Sequence, residues 1–264
     1  MSSSTGSWKA KETLHKWITL LMLFTPASAA HAQESPIVPD RPGFSTGPYT
    51  VEPGQFNIEL GYQYAFNHSG ADRSTQTVPQ LVFRAGVASG LEIDLLWDGW
   101  NLGDGDGQSS TTSVSDLTIG GKYRLSRHEQ YNLTALGLLS LPAGNEPSTS
   151  DQVDPTLGLL WDYSGSRRIS FFGVLQVTST QVQGEREFSG QFAAGASRSL
   201  TDRVGVFIEY FNDIPFASEI DDQHAIDGGL TFLLNDDLQL DINAGTGLNN
   251  ATDNFVGIGI AMRY

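Results

Sequence analysis

The chain has 264 residues, no cysteine, and 30 acidic against 15 basic residues, which give a formal net charge of −15. This charge argues against nucleic acid as a partner, because phosphates would be repelled. The lack of cysteine excludes disulfides, metal sites built on thiolates and lipid anchoring through cysteine.

Residues 1–32 have the pattern of a cleaved export signal. An apolar run, Trp17–Phe24, follows a basic region that contains Lys9, Lys11 and Lys16. The run is too short for a spanning helix, which needs roughly 20 apolar residues. Ala30-His31-Ala32 is a small-x-small cleavage site. We therefore expect export and a mature chain that begins at Gln33.

Alternation of apolar and polar residues dominates residues 54–264. In Gln55–Phe66, six apolar residues occupy every second position, which is the pattern of a strand with two different faces. The same pattern marks Leu91–Trp100, Asp116–Leu125, Val204–Phe211 and Leu238–Gly247. Weaker strands are predicted near 75–87, 130–142, 153–163, 169–182, 187–199, 223–234 and 255–264. Twelve strands predict an all-β, transmembrane, antiparallel up-and-down β-barrel.

Connector lengths alternate along this series of strands. The connectors after even-numbered strands are short, as at Ala88-Ser89-Gly90, whereas those after odd-numbered strands are mostly longer, as at 101–115. Short periplasmic turns and long external loops are typical of outer-membrane barrels. The pattern predicts a protein of the cell outer membrane of a Gram-negative bacterium with both termini in the periplasm.

The last strand ends the chain on an aromatic residue. Its alternating apolar residues are Val256, Ile258, Ile260, Met262 and Tyr264. This ending resembles the C-terminal signal that outer-membrane barrels present to the barrel-assembly machinery. We therefore expect that machinery, outer-membrane lipid and lipopolysaccharide as partners.

In a barrel within lipid, the polar face of each strand points into the lumen. The candidate lumen-lining residues are Glu59, Arg84, Glu92, Asp94, Asp98, Asp116, Lys122, Arg124, Asp162, Glu209, Asp241 and Arg263. Their acidic excess favours a water-lined path for cations or neutral solutes, but a small lumen filled by paired side chains is equally compatible. Some inward positions are apolar: Leu96, Trp100, Leu136, Leu138, Phe172, Phe207 and Phe211. They suit either an aromatic or aliphatic solute or simple packing.

Residues 33–53 contain five prolines. Because proline cannot donate to a sheet ladder, this segment is predicted to be an extended leader rather than a strand. Two readings remain open. The leader is either a periplasmic tail or a plug folded into the lumen, with Asp40 and Arg41 paired against charged residues of the strands.

Several motifs carry a resemblance to a known family. They are Asp40-Arg41-Pro42 with Tyr49–Gly54, Asp116–Arg124, Leu139–Gly144, and Asp241–Leu248 with the final strand. Together they resemble the outer-membrane transporter family named after the meta-pathway of phenol degradation, over the whole mature chain. The resemblance implies a barrel and uptake of small compounds, aromatic ones among them. It carries over no catalytic residue.

The sequence therefore predicts a channel for passive uptake of small solutes, aromatic or apolar compounds among them. The alternative is a structural or surface-interaction barrel whose external loops bind a partner and whose lumen is closed. Outer-membrane phospholipases have a His-x-Ser pair, but His224 is followed by Ala225 and Ile226. We expect no enzymatic activity, no cofactor and no metal site.

Overall fold

The computed structural model of the protein describes residues 35–66, 74–104, 110–166, 168–182, 184–216, 221–249 and 251–264. The described residues form fourteen strand segments, numbered here in chain order: β1 (Phe56–Phe66), β2 (Ser74–Ala88), β3 (Leu91–Trp97), β4 (Trp100–Asp104), β5 (Thr111–Val114), β6 (Leu117–Arg127), β7 (Tyr131–Leu141), β8 (Asp154–Ser166), β9 (Ile169–Val182), β10 (Glu185–Ser199), β11 (Val204–Pro215), β12 (Gln223–Asn235), β13 (Leu238–Gly247) and β14 (Asn254–Arg263).

The strands close into a ring. Consecutive strands pair antiparallel except β3 with β4 and β5 with β6. β1 pairs with both β2 and β14, so the sheet has no open edge between its first and last strands. β3 and β4 both pair with β2, while β5 pairs with β4 and β6 with β3. β3 and β4 together form one crossing of the barrel, and β5 and β6 together form the next, each interrupted once. The ring thus has twelve crossings, and the predicted twelve-stranded antiparallel barrel is confirmed.

Burial along the strands is inverted relative to a soluble barrel. On β3, Glu92 and Asp94 are buried while Leu91 and Ile93 are exposed, and on β8 the exposed residues include Leu157 and Leu159. An apolar exterior is stable only against hydrocarbon, where closure of the sheet also pairs every backbone group of the strands. The apolar residues of the alternating strands therefore face lipid.

One interruption corrects a sequence prediction. Gly99, with a φ of 52°, lies between β3 and β4 against Val78 and Pro79 of β2, where an added Cβ would clash with the backbone. Pro79 has no N–H for the ladder, and the β1–β2 register shifts at this level, between Gly61 and Gln63. The alternation of faces restarts after Gly99. Trp100, predicted to face the lumen, is consequently 46% exposed on the same face as Leu102, so that prediction is wrong.

The two ends of the barrel differ in their connections. At the end that carries β1's start and β14's finish, neighbouring strands are joined by short turns such as Ser89–Gly90 and Asp236–Asp237. At the other end the connections are mostly longer, as at 142–153 and 216–222. Among the described residues, no helix is both long and apolar enough to cross a membrane.

Candidate functional site

The leader, from Pro36 to Pro53, lies inside the ring of strands. Ile37 N–H donates to Asp236 O at the β12–β13 turn, and the leader then reaches β13, where Asn243 Nδ2 donates to Pro42 O. On the opposite wall, Thr134 Oγ1 of β7 donates to Pro48 O. The leader returns to β2, where Pro53 bridges to Gly86. Contacts to strands all around the ring place this segment across the lumen.

A buried charge cluster binds the first half of the leader. Lys122 Nζ lies 2.6 and 2.7 Å from the two carboxylate oxygens of Asp40. Arg84 lies 3.3 Å from the same carboxylate and donates its Nε to Glu92 at 3.0 Å. Glu59 accepts the backbone N–H groups of Asp40 and Arg41 at 3.0 Å. We call Glu59, Arg84, Glu92 and Lys122 the charged wall.

The charged wall also recognises the leader's backbone. Arg84 donates to the carbonyl oxygens of Val38 and Tyr49 at 3.0 and 2.8 Å, and Glu92 accepts the N–H of Val51 at 2.6 Å. Every member of the wall is at most 1% exposed. Buried charges are tolerated only when they are paired and hydrogen-bonded. Without Asp40, Lys122 would keep only Glu92 as an ion-pair partner among the described residues.

Arg41 lies against a part of the barrel wall that has no side chains. Gly61 of β1 and Gly259 of β14 are paired in register, and a Cβ on either would clash with the Arg41 guanidinium. The guanidinium donates to Gln80 Oε1 at 2.9 Å and lies 3.4 Å from Asp241. The two glycines therefore let an arginine lie flat against the sheet, where larger residues would exclude it.

Phe44, Ser45 and Tyr49 of the leader also bind strands β8 and β11. Phe44 stacks on Phe211 with ring centroids 4.4 Å apart, and Glu209 accepts the N–H groups of Phe44 and Ser45. The Tyr49 hydroxyl donates to Asp162 at 2.5 Å. Burial, assisted by the Asp162 carboxylate, raises the pKa of Tyr49 above its ordinary range.

An apolar cluster adjoins the charged wall, since Leu136 of β7 pairs in register with Lys122 of β6. Leu136, Leu160, Val174 and Ala193 are buried against one another, and Leu138 and Phe211 pack on them. We call these four buried residues the apolar wall. They come from four successive strands, β7 to β10, so this part of the lumen is filled by side chains rather than water.

Two cavities border the leader. One, of about 570 Å³, is lined by Arg41 and Phe44 of the leader and extends toward the long connections at Ala251–Asp253. The other, of about 240 Å³, lies against leader residues 38–49 and is lined by Asp162, Phe172 and Phe207. Both cavities touch leader residues 40–43, which therefore stand between them.

The structure brings most of the candidate lumen residues to this site. Glu59, Arg84, Glu92, Lys122, Asp162, Glu209 and Asp241 contact the leader. Asp94 is buried on the same face of β3 as Glu92, and Asp98 lines the larger cavity. Among the apolar candidates, Leu96 and Phe211 line the larger cavity and Phe172 and Phe207 the smaller one.

Three candidate residues lie elsewhere. Asp116 accepts hydrogen bonds from Gly144 and Thr149 in the 142–153 connection. Arg124 donates to Ser89 in the β2–β3 turn, and Arg263 pairs with Asp237 in the β12–β13 turn at 2.6 Å. All three have the parity expected from alternation, but they sit toward strand ends, where they contact the connections between strands.

The structure describes the predicted C-terminal assembly signal but not the predicted export signal. The predicted export signal lies outside the described residues. In the C-terminal strand, Val256, Ile258 and Tyr264 are exposed on the outer face, and Ile260 and Met262 are half-buried at alternate positions between them. Their recognition by the barrel-assembly machinery stays a prediction.

Sequence reasoning missed several residues of the site. Gln80, Thr134 and Asn243 bind the leader, and Asp227 lines the larger cavity. Gln80, Thr134 and Asp227 sit in strands whose alternation was weak, so their inward parity was the only available signal. The roles of Gly61 and Gly259 had no sequence signal, because glycine is frequent throughout the barrel.

Solved structures share this fold at low sequence identity. An outer membrane channel from Pseudomonas putida F1 matches with a TM-score of 0.61 and 12% identity, covering 89% of this chain and 100% of that one. The NanC porin matches with a TM-score of 0.53 and 9% identity, covering 78% and 98%. The KdgM porin in complex with oligogalacturonate matches with a TM-score of 0.51 and 9% identity, with the same coverage. These likenesses concern the fold alone.

The family comparison covers most of the chain. No curated protein matches it in a sequence search. A family model does match, over residues 39–264, which include Asp40, Arg41 and every strand. The predicted resemblance is thereby confirmed, and the chain belongs to the family described as "Putative MetA-pathway of phenol degradation".

Proposed function

We propose that the protein is an outer-membrane channel for passive uptake of small solutes, aromatic or apolar compounds among them, and that the leader is a plug that narrows its pore. The observation that carries this proposal is the leader's course across the lumen with a cavity on each side of it. An interrupted water-filled path is what a gated or narrowed channel requires.

The mixed character of the cavities supports small solutes that are partly apolar. The smaller cavity combines Phe172 and Phe207 with Asp162, and the larger one combines Phe44 and Leu96 with Asp98. Binding sites for small molecules are commonly apolar with a few placed polar groups. Twelve crossings also give a lumen wider than that of an eight-stranded barrel, which side chains fill completely.

The difference in connection length between the two ends of the barrel supports an orientation in the membrane. We propose that the end with short turns faces the periplasm, which puts both termini there. The exposed C-terminal strand would then meet the barrel-assembly machinery, and the apolar exterior would contact outer-membrane lipid and lipopolysaccharide. The fold likeness to outer-membrane channels and porins and the family membership are consistent with this location.

Planar-bilayer recording tests the proposal. The mature protein should give small, discrete conductance steps that prefer cations, and deletion of residues 33–50 should raise the step size several-fold, because the deletion empties the lumen of its leader. Adding a synthetic peptide of residues 36–53 from the periplasmic-turn side should restore the small steps, whereas addition from the other side should act less.

Two results would overturn the proposal. Equal step sizes before and after the deletion would show that the leader does not restrict the path. A folded protein that stays silent even after the deletion would exclude a channel and favour the surface-interaction barrel, in which the long connections bind a partner.

A further inference from the structure

Four neighbouring strands present one row of residues beside the larger cavity. Glu209 of β11 pairs in register with Asp227 of β12, Asp227 with Gly245 of β13, and Gly245 with Phe255 of β14. Asp227 and Phe255 both line the cavity. The row therefore places two carboxyl groups, a position without a side chain and an aromatic ring side by side.

This row contains two carboxyl groups without a basic partner. Glu209 is stabilised by the N–H groups of Phe44 and Ser45. Asp227 is 2% exposed, and neither of its oxygens accepts a hydrogen bond from the part of the chain that the structure describes. In that same part, no lysine, arginine or histidine forms an ion pair with either carboxyl group.

The basic residues of the lumen are already engaged. Arg84 and Lys122 are paired within the charged wall and with Asp40, and Arg41 is paired with Asp241. Two adjacent buried carboxyl groups need a counter-charge, because an uncompensated buried charge is strongly unfavourable. That counter-charge is either a proton shared by the two groups or a cation supplied from the cavity.

The surroundings of Asp227 suit an organic cation. A Cβ at Gly245 would clash with the Phe255 ring and lie 3.0 Å from Asp227 Cβ, so the absence of a side chain at Gly245 lets the ring lie over Gly245, next to Asp227. An aromatic ring next to a carboxylate is a favourable setting for ammonium groups. A hydrated metal ion would gain nothing from the ring.

The rest of the cavity has matching charge and size. Of its acidic lining residues, Asp40 is paired with Lys122 and Arg84, whereas Asp98 and Asp227 have no ion pair within the part of the chain that the structure describes. Phe44, which is 37% exposed, and Leu96 add apolar surface. A volume of about 570 Å³ is within the range of sites that enclose a small organic molecule.

We propose that Asp227, with Phe255 beside it and Glu209 behind it, forms a binding site for small organic ammonium ions that carry an apolar body. The apolar body would lie against Phe44 and Leu96. This inference rests on the proposed function, since it names the class of solute that the channel would take. Binding itself, however, can be measured without any current.

Isothermal titration of the folded, full mature protein in detergent at about pH 7 tests the site. The probe is benzylamine, which is protonated at that pH, and the comparison compounds are neutral benzyl alcohol and anionic benzoate. We expect benzylammonium to bind about tenfold or more tightly than either compound, because only the cation supplies the missing charge. Asp227→Asn should weaken its binding about tenfold or more, and Phe255→Leu should weaken it several-fold.

Matched variants keep the test clear. Asp202→Asn, in the exposed β10–β11 turn, makes the same change outside the cavity and should bind like the unaltered protein. Heat-modifiable gel migration checks that each variant is folded. If Asp227→Asn fails to fold, Phe255→Leu and the selectivity among the three compounds still decide the question.

Three outcomes overturn the site: no binding of benzylammonium, which points to a shared proton; equal binding of benzyl alcohol; or binding that Asp227→Asn leaves unchanged. The channel proposal fails separately. A protein that binds benzylammonium but never conducts would refute the channel and leave the site, whereas a conducting protein that ignores benzylammonium would refute the site alone.

Discussion

The charged wall and the apolar wall line the same lumen but act through different forces. The charged wall binds the leader by directional contacts, with Arg84 alone reaching Asp40, Val38 and Tyr49. The apolar wall packs Leu136, Leu160, Val174 and Ala193 against one another. Directional, paired charges specify one position for a segment, whereas apolar packing stabilises whatever fills the space. The first wall therefore positions the leader, and the second stabilises the barrel.

Breaking the charged wall should have the largest effect. Arg84→Met removes the cation that Glu59, Glu92 and Asp40 share. Loss of one partner of a buried pair costs about 3–5 kcal/mol, and release of the leader lets water reach the remaining carboxylates. We expect conductance steps near those of the 33–50 deletion and rapid proteolysis of the leader.

Arg124→Met is the matched control for this change. Arg124 lies against the β2–β3 turn, where it donates a hydrogen bond to the exposed Ser89. Its replacement should change neither step size nor proteolysis. A protected leader and unchanged steps in Arg84→Met would show that the charged wall does not hold the leader.

A substitution in the apolar wall should lower the stability of the barrel rather than change its conductance. Leu160 is 0% exposed, so Leu160→Ala leaves a cavity and should lower the free energy of unfolding by about 2–5 kcal/mol. Leu157→Ala, at a position 72% exposed on the lipid face, should cost less. Urea unfolding of the refolded barrel measures both. An increase in conductance for Leu160→Ala like that of Arg84→Met would contradict the separate roles of the two walls.

The ring contact between leader and barrel should have a smaller effect. Phe44→Leu removes the stack on Phe211 and should weaken leader docking by about 0.5–1.5 kcal/mol. Brief full openings should become more frequent in bilayer recordings. A double-mutant cycle with Phe211→Leu isolates the pair, and additive effects of the two changes would show that the stack contributes nothing.

The smallest expected effect is spectroscopic. Because burial and Asp162 raise the pKa of Tyr49, the folded state favours the protonated phenol. Its contribution to docking is present below the ordinary pKa of about 10 and is lost as pH rises above it toward the folded value.

An absorbance titration of phenolate checks this assignment. Tyr49→Phe should leave the phenolate signal at pH ~11 unchanged, although an ordinary tyrosine is mostly ionised there. Tyr264→Phe, which removes an exposed tyrosine, should reduce that signal. An equal reduction in Tyr49→Phe would mean that the hydroxyl is not held by Asp162.

The strand pattern was predictable because closure in lipid imposes a period of two on every crossing. Gln55–Phe66 and Leu238–Gly247 were placed to within a residue of β1 and β13. The third crossing was not, since its break at Gly99 depends on Pro79 in the neighbouring strand. That contact joins residues 20 positions apart, and no local pattern reports it.

The site was predictable only in its residue types. Alternation put Glu59, Arg84, Glu92 and Lys122 on one face of their strands, but it put Arg263 and Asp116 there as well. The two groups differ in height along the barrel. The leader contacts the first group, whereas Asp116 contacts the 142–153 connection and Arg263 pairs with Asp237 in the β12–β13 turn. Height follows from strand register, which the pattern alone does not contain.

The sequence by itself determined the barrel, its twelve crossings and its family, because an apolar exterior and paired backbone groups are demanded of every strand in lipid. Only the tertiary structure decided the course of the leader. Its proline content is compatible with either a free tail or a docked segment. Docking depends on Asp40 meeting Arg84 and Lys122, and on Gly61 and Gly259 leaving room for Arg41, contacts that exist only once the ring has closed.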